Sequence, residues 1–205
     1  MNITLNNTGK RYNREWIFRH CSYIFTSGKN YAITGPNGSG KSTLLQVIAG
    51  ATLHNEGTIE YNDGQQTTPN EQHFSNISIA APYLELIEEM TAKEMLQFHS
   101  KFKPLIQSIS IEEILKVVGL ENAVNKQIRY FSSGMKQRLK LAQAFFSNTP
   151  VLLLDEPTTN LDADGIALYQ NLINNYTKYR LVIVSSNVKQ EYDFCEEVIE
   201  ILKYK

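Results

Sequence analysis

Nine consecutive residues, Gly35 to Thr43 (GPNGSGKST), carry the densest chemistry in this sequence. Gly35, Gly38 and Gly40 allow the backbone to turn its N–H groups inward around a polyanion, with Pro36, Asn37 and Ser39 between them. Lys41 brings a point charge suited to β- and γ-phosphates, and the Ser42 hydroxyl is a ligand for Mg²⁺. Beyond Thr43, Leu44, Leu45, Val47 and Ile48 recur at helical spacing. The loop therefore opens a helix, whose positive end adds to the same anion site. An apolar strand, Gly-x-x-x-x-Gly-Lys-Ser and a helix together satisfy the P-loop pattern, which implies binding of a nucleoside triphosphate.

Two adjacent carboxylates, Asp155 and Glu156, follow the apolar run Val151–Leu154. A buried strand ending there delivers both to the crevice where open α/β sheets bind ligands. Asp155 is suited to hold Mg²⁺ through its water shell. Glu156 is suited to orient and deprotonate an attacking water.

The elements that must position these groups can be read from periodicity and punctuation. Ile3–Asn6, Ile17–Phe25, Tyr31–Thr34, Thr58–Tyr61 and Ile77–Ala80 read as strands, and Asn62–Gln72 as a polar exposed loop. Thr91-x-x-Glu94 and Ser110-x-x-Glu113 are capping boxes, each opening a helix, the second stopped near Gly119. A third helix follows Ser132, with Leu139, Ala142 and Phe146 on one face. After Pro150 the pattern returns to α/β: strand Val151–Leu154, helix Ala163–Tyr176, strand Leu181–Ser185 and last strand Val198–Leu202. The expected fold is an α/β P-loop core with a helical insertion. A mostly parallel sheet is flanked by helices and joined by antiparallel N-terminal strands. One domain over residues 1–205 is expected, with its core at 1–81 and 149–205 and the helical lobe at about 82–148.

Composition narrows the function classes. A formal charge of −1 over 205 residues argues against a generic field for nucleic acid or acidic lipid. No apolar run approaches the ~20 residues needed to span a membrane, and the N-terminus lacks a signal-peptide h-region. Cys21 and Cys195 match no metal or redox spacing and read as buried reduced thiols in a cytosolic protein.

Phe131-Ser132-Ser133-Gly134-Met135, followed by Lys136-Gln137-Arg138, resembles the LSGGQ signature of ATP-binding cassette (ABC) proteins. It matches at Ser132 and Gly134. Pro157-Thr158-Thr159-Asn160-Leu161-Asp162 resembles the family's D-loop, and Tyr12 sits where its members carry an aromatic that stacks on adenine. The resemblance runs from Tyr12 to the last strand, in the family's order. It implies ATP as the nucleotide, with Mg²⁺, and a head-to-tail pair with a second cassette, identical or different. Ser132, Ser133 and Gly134 would then reach the γ-phosphate held by the partner's P-loop.

Two positions depart from the family. The glutamine expected after Ile77–Ala80 falls on or beside Pro82, since Gln72 and His73 lie too early. The switch histidine is replaced by Asn187, which can still donate an amide hydrogen bond but cannot carry a proton. Glu156, Lys41 and Asn187 are the expected catalytic set, and Ser42 and Asp155 the metal set. The resemblance implies an ATP-hydrolysing transporter subunit on the inner face of the membrane, acting through separate transmembrane subunits. The compact length and the GMKQR run point to the export type. Two alternatives stay open: a soluble cassette acting on nucleic acid, ribosomes or an assembly partner, and a weakly hydrolysing dimerisation switch. Gly35 and Phe131 lie too close for the long insertion of DNA-repair cassettes, so no nucleic-acid partner is expected.

Overall fold

A computed structural model describes residues 1–62 and 73–205. The expected loop at Asn62–Gln72 thus lies, past Asn62, outside the described residues, as does Gln72. In chain order the elements are β1 (Asn2–Tyr12), β2 (Glu15–Phe25), β3 (Asn30–Thr34), α1 (Lys41–Ile48), β4 (Glu56–Asn62), α2 (His73–Asn76) and β5 (Ile77–Ala80). Then follow α3 (Ala92–Phe102), α4 (Ile111–Val117), α5 (Ser133–Phe146), β6 (Val151–Asp155), α6 (Ala163–Tyr176), β7 (Leu181–Ser185), α7 (Lys189–Tyr192) and β8 (Glu197–Glu200).

The chain divides into two compact units, residues 1–79, 150–156 and 179–205, and residues 80–149 and 157–178. In the first, an antiparallel sheet of order β2-β1-β4 accompanies a five-stranded sheet of order β5-β6-β7-β3-β8. Within the latter, β6 runs parallel to β7, β7 to β3, and β3 to β8. Every residue of β6 (VLLLD) and β7 (LVIVS) is buried, the signature of central parallel strands covered on both faces. Leu44, Leu45, Val47 and Ile48 of α1 join Ile33, Leu153 and Ile183 in one apolar cluster, so the helix after the phosphate loop is fixed by packing.

β1 is longer than the alternation at Ile3–Asn6 predicts. Its register with β2 shifts between Leu5 and Thr8, where Asn7 takes φ 49°, and pairing then resumes to Tyr12. The bulge breaks the two-residue period without ending the strand. At the other end, the expected strand Val198–Leu202 stops at Glu200 and residues 201–204 form a 3₁₀ turn. The cause is its partner: Thr34 pairs with Glu200, and β3 yields to the phosphate loop at Gly35, leaving no ladder to extend.

In the second unit both capping boxes form. Thr91 Oγ1 accepts from Glu94 N and Ser110 Oγ from Glu113 N, while each glutamate carboxylate accepts from its cap N–H. These bonds hold the Glu94 and Glu113 carboxyls below the usual range. Residues 157–178 group with this unit rather than with the core, where the sequence reading places them. The reason is aromatic packing: Tyr169 meets Phe145 edge-on at 6.3 Å, and Tyr176 meets Phe146 at 4.6 Å, tying α6 to α5. Both cysteines are free; Cys21 is buried as expected, whereas Cys195 is only half-buried. Burial pushes each thiol up to about 12, so neither is a nucleophile near neutral pH.

Candidate nucleotide-binding site

Three neighbouring strands of the first unit, in the order β6-β7-β3, end at a common level. Asp155 pairs with Ser185, and Ser185 with Ile33. Beyond these ends lie Glu156 after β6, Asn187 after β7 and the loop Gly35–Gly40 after β3. The parallel register therefore gathers at one sheet edge groups separated by up to 152 residues in sequence. This is the crevice at the carboxyl ends of strands where α/β sheets bind ligands.

The loop has the backbone its sequence demands. Gly35 takes φ 148° and Gly40 φ 103°, both in the left-handed half of the map. A Cβ at Gly40 would stand 2.4 Å from Ile17 Cγ2, and one at Gly35 would stand 2.6 Å from Ile201 Cγ2. Glycine is required here twice over, by conformation and by space. The loop ends in α1, whose first residue, Lys41, is only 4% exposed; its ammonium donates to Gly35 O at 2.9 Å and Pro36 O at 3.3 Å. Asn37, Gly38, Gly40, Lys41, Ser42 and Thr43 line a cavity of about 210 Å³ together with Ile17 and Glu156. Ser39 is buried behind the loop, its Oγ without a partner among the described residues.

Glu156 is the carboxylate that faces this cavity. Its φ is 42°, a left-handed conformation that costs a non-glycine residue about 1–3 kcal/mol, held by Glu156 N donating to Ser185 O at 2.9 Å. Strain of this kind, kept in place by a ladder bond, aims a side chain. Asp155 is 1% exposed and its Oδ1 has no hydrogen-bond partner among the described residues. An orphaned buried carboxylate oxygen is costly unless a cation completes it. Mg²⁺ takes one or two carboxylate or hydroxyl oxygens and leaves the rest to phosphates and water. Asp155, with the Ser42 hydroxyl on the cavity wall, fits that donor set.

Asn187 is exposed and engages the loop directly. Its Nδ2 donates to Asn37 Oδ1 at 3.0 Å, and its Oδ1 accepts from Gly35 N at 3.3 Å. Tyr12 closes the β1–β2 hairpin, 48% exposed, with Lys10 Nζ 4.8 Å from its ring centre. It does not line the cavity; Ile17, which the sequence reading missed, does. No local signal marks Ile17, since only the fold brings β2 against Gly40.

In the second unit, Ser132 caps α5, its Oγ accepting from Met135 N at 3.2 Å. Ser132 and Ser133 are exposed and Gly134 half-exposed, so the N-terminus of a 14-residue helix is presented with its first N–H groups accessible. Phe131 is buried, which explains why another apolar residue serves where LSGGQ has leucine. Behind the signature, Gln137 Nε2 donates to Pro157 O at 2.8 Å and Arg138 Nη2 lies 3.2 Å from Asp162 Oδ1. Pro82, at the missing glutamine, lines a separate cavity of about 350 Å³ with Leu84, Leu86, Glu85, Glu88, Lys136 and Lys140. Its carbonyl accepts from Lys140 Nζ at 2.7 Å.

A P-loop at the end of β3, with a strained glutamate and a buried aspartate at the end of β6, one strand removed across β7, defines a P-loop ATPase core. The sequence places the core more narrowly. Residues 18–159 match the family model described as ABC transporter. The uncharacterized ABC transporter ATP-binding protein YybJ of Bacillus subtilis is 31% identical over 97% of this chain and 92% of its own length. The cytochrome c biogenesis ATP-binding export protein CcmA of Rhizobium etli is 33% identical over 84% of this chain and 81% of its own. A solved dimeric structure of MJ0796, described as a bacterial ABC transporter cassette, is 27% identical. It covers 97% of this chain and 94% of its own, with a TM-score of 0.83. The chain belongs to the ABC transporter family, as an ATP-binding cassette subunit and ATPase. No helix among the described residues is long and apolar enough to cross a membrane.

Proposed function

We propose that this chain hydrolyses ATP to drive separate transmembrane subunits, working as one of a head-to-tail pair of cassettes. The observation that carries the reading is the shared cavity: the Glu156 carboxylate faces the same space as Lys41 and Ser42. The N–H groups of Gly38 to Ser42 and the ammonium of Lys41 hold the β- and γ-phosphates. Glu156 orients the attacking water and accepts its proton. Asp155 and Ser42 would hold Mg²⁺, which when bound would neutralise charge on the phosphates. Ser132, Ser133 and Gly134 cap the γ-phosphate of the second cassette, using the free N-terminus of α5. The dimeric structure of MJ0796 supports that pairing, and the export direction is supported by the compact length and the GMKQR run and by the likeness to CcmA.

Hydrolysis by the purified chain at saturating MgATP, with and without Glu156→Gln, tests the reading. Removing the proton acceptor lowers turnover by about 10²-fold or more while ATP binding persists and the ATP-bound dimer lives longer. Unchanged turnover in Glu156→Gln overturns the assignment. A second reading, an ATP-dependent dimerisation switch with slow turnover, is favoured by the engagement of both Asn187 polar atoms with the loop. It predicts a stable ATP-bound dimer whose wild-type turnover already lies near that of Glu156→Gln.

A further inference from the structure

Asn187 makes two contacts that its place in the sequence does not announce. β7 ends at Ser185, and Ser186 N donates to Ile33 O at 3.1 Å, so the chain leaving β7 is pinned beside the end of β3. Val188 N donates to Ser186 Oγ at 2.9 Å, which fixes the turn around Asn187. Held this way, the Asn187 amide lies across the entry of the phosphate loop, accepting from Gly35 N and donating to Asn37 Oδ1. Gly35 is thereby held through both flanking peptides, its N–H by Asn187 and its carbonyl by Lys41.

The side chain is matched to the task. A carboxamide presents an acceptor and a donor at one planar end and keeps both at every pH near neutrality. Neutral imidazole carries its donor and acceptor on well-separated ring nitrogens, and imidazolium has no acceptor for Gly35 N–H. We propose that Asn187 is a positioning residue: it braces the first turn of the phosphate loop, so that the N–H groups which meet the β-phosphate stay aimed. This assignment rests on the reading of the loop as an ATP site, and it differs from a γ-phosphate sensor in what it acts on. A sensor discriminates ATP from ADP. A brace acts on both equally, because both carry the β-phosphate that the loop holds.

The test is calorimetric titration of the wild type and Asn187→Ala with MgATP and with MgADP. Asn187 is exposed, so truncation leaves the fold intact. Loss of neutral hydrogen bonds, each worth about a factor of five, weakens both nucleotides by about five-fold or more and by the same factor. Asn37→Ala closes a double-mutant cycle: it weakens binding in the wild-type background and adds little once Asn187 is alanine. Weakening of MgATP with MgADP unchanged overturns the brace, as does strict additivity of the two substitutions or no effect on either nucleotide. A wild-type chain that binds neither nucleotide overturns the ATP-site reading and the brace together. A wild type that binds both, with an Asn187→Ala defect confined to ATP, overturns the brace alone.

Discussion

Replacing Asp155 by asparagine should make the protein more stable and less responsive to magnesium at once. Asp155 is 1% exposed, and its Oδ1 meets no hydrogen-bond donor among the described residues. Leaving a buried polar group unsatisfied costs about 1–3 kcal/mol, more when it is charged. Asparagine removes the charge and keeps the shape, but its amide N–H groups are themselves unpartnered and return about 1 kcal/mol of that gain. A net stabilisation of about 1 kcal/mol remains, or about 2–4 °C in Tm for a chain of this size. The assay is thermal unfolding in EDTA, then with ATP and with MgATP. At ligand about 100-fold over Kd the wild type gains about 2.7 kcal/mol, and part of that gain depends on Mg²⁺. In Asp155→Asn that part is lost, so its curves with ATP and MgATP coincide. A lower Tm than wild type in EDTA would show that the carboxylate is satisfied in the folded protein and would refute the argument. So would a full magnesium-dependent rise in the variant.

Two further perturbations test the scaffold. Gly40→Ala places a side chain at φ 103° and 2.4 Å from Ile17 Cγ2, costing about 1–3 kcal/mol in urea unfolding and weakening nucleotide binding; adding Ile17→Ala relieves the contact but not the backbone strain, so recovery is partial. His99, whose Nε2 bonds Ser147 Oγ at 2.8 Å, is driven down to about 4 by burial, with Lys103 adding to the effect. An unfolded histidine titrates near 6.5. The unfolded state therefore binds the extra proton first, so stability is full above about pH 6.5 and falls as pH drops toward 4. His99→Gln flattens the slope between pH 6.5 and 5 in denaturant titrations; an unchanged slope sinks the assignment.

Much of the site was legible because its chemistry is local. GPNGSGKST encodes a loop whose glycines, lysine and serine act within one turn of chain, and the structure folds it with positive φ at Gly35 and Gly40. Asp155 and Glu156 were legible for the same reason, as two carboxylates ending an apolar run. The capping boxes at Thr91 and Ser110 closed because both partners lie within three residues. The misreadings were all decided by partners distant in sequence. β1 outlasts its alternation because β2 and β4 pair with it past a bulge. β8 ends early because β3 does. Residues 157–178 group with the helical unit because α5 offers Phe145 and Phe146 to their aromatics.

The sequence by itself determined the family, the nucleotide loop and which carboxylates could serve it, since each is written in a short run whose geometry the backbone imposes. The tertiary structure decided what those groups face. Strand order β6-β7-β3 puts Glu156 in the cavity, leaves the buried Asp155 Oδ1 without a hydrogen-bond partner among the described residues, and lays Asn187 across Gly35 and Asn37. Such contacts join residues more than a hundred positions apart. No local pattern encodes them, because hydrogen bonds of this reach exist only after the hydrophobic burial of β6, β7 and β3 has fixed the sheet.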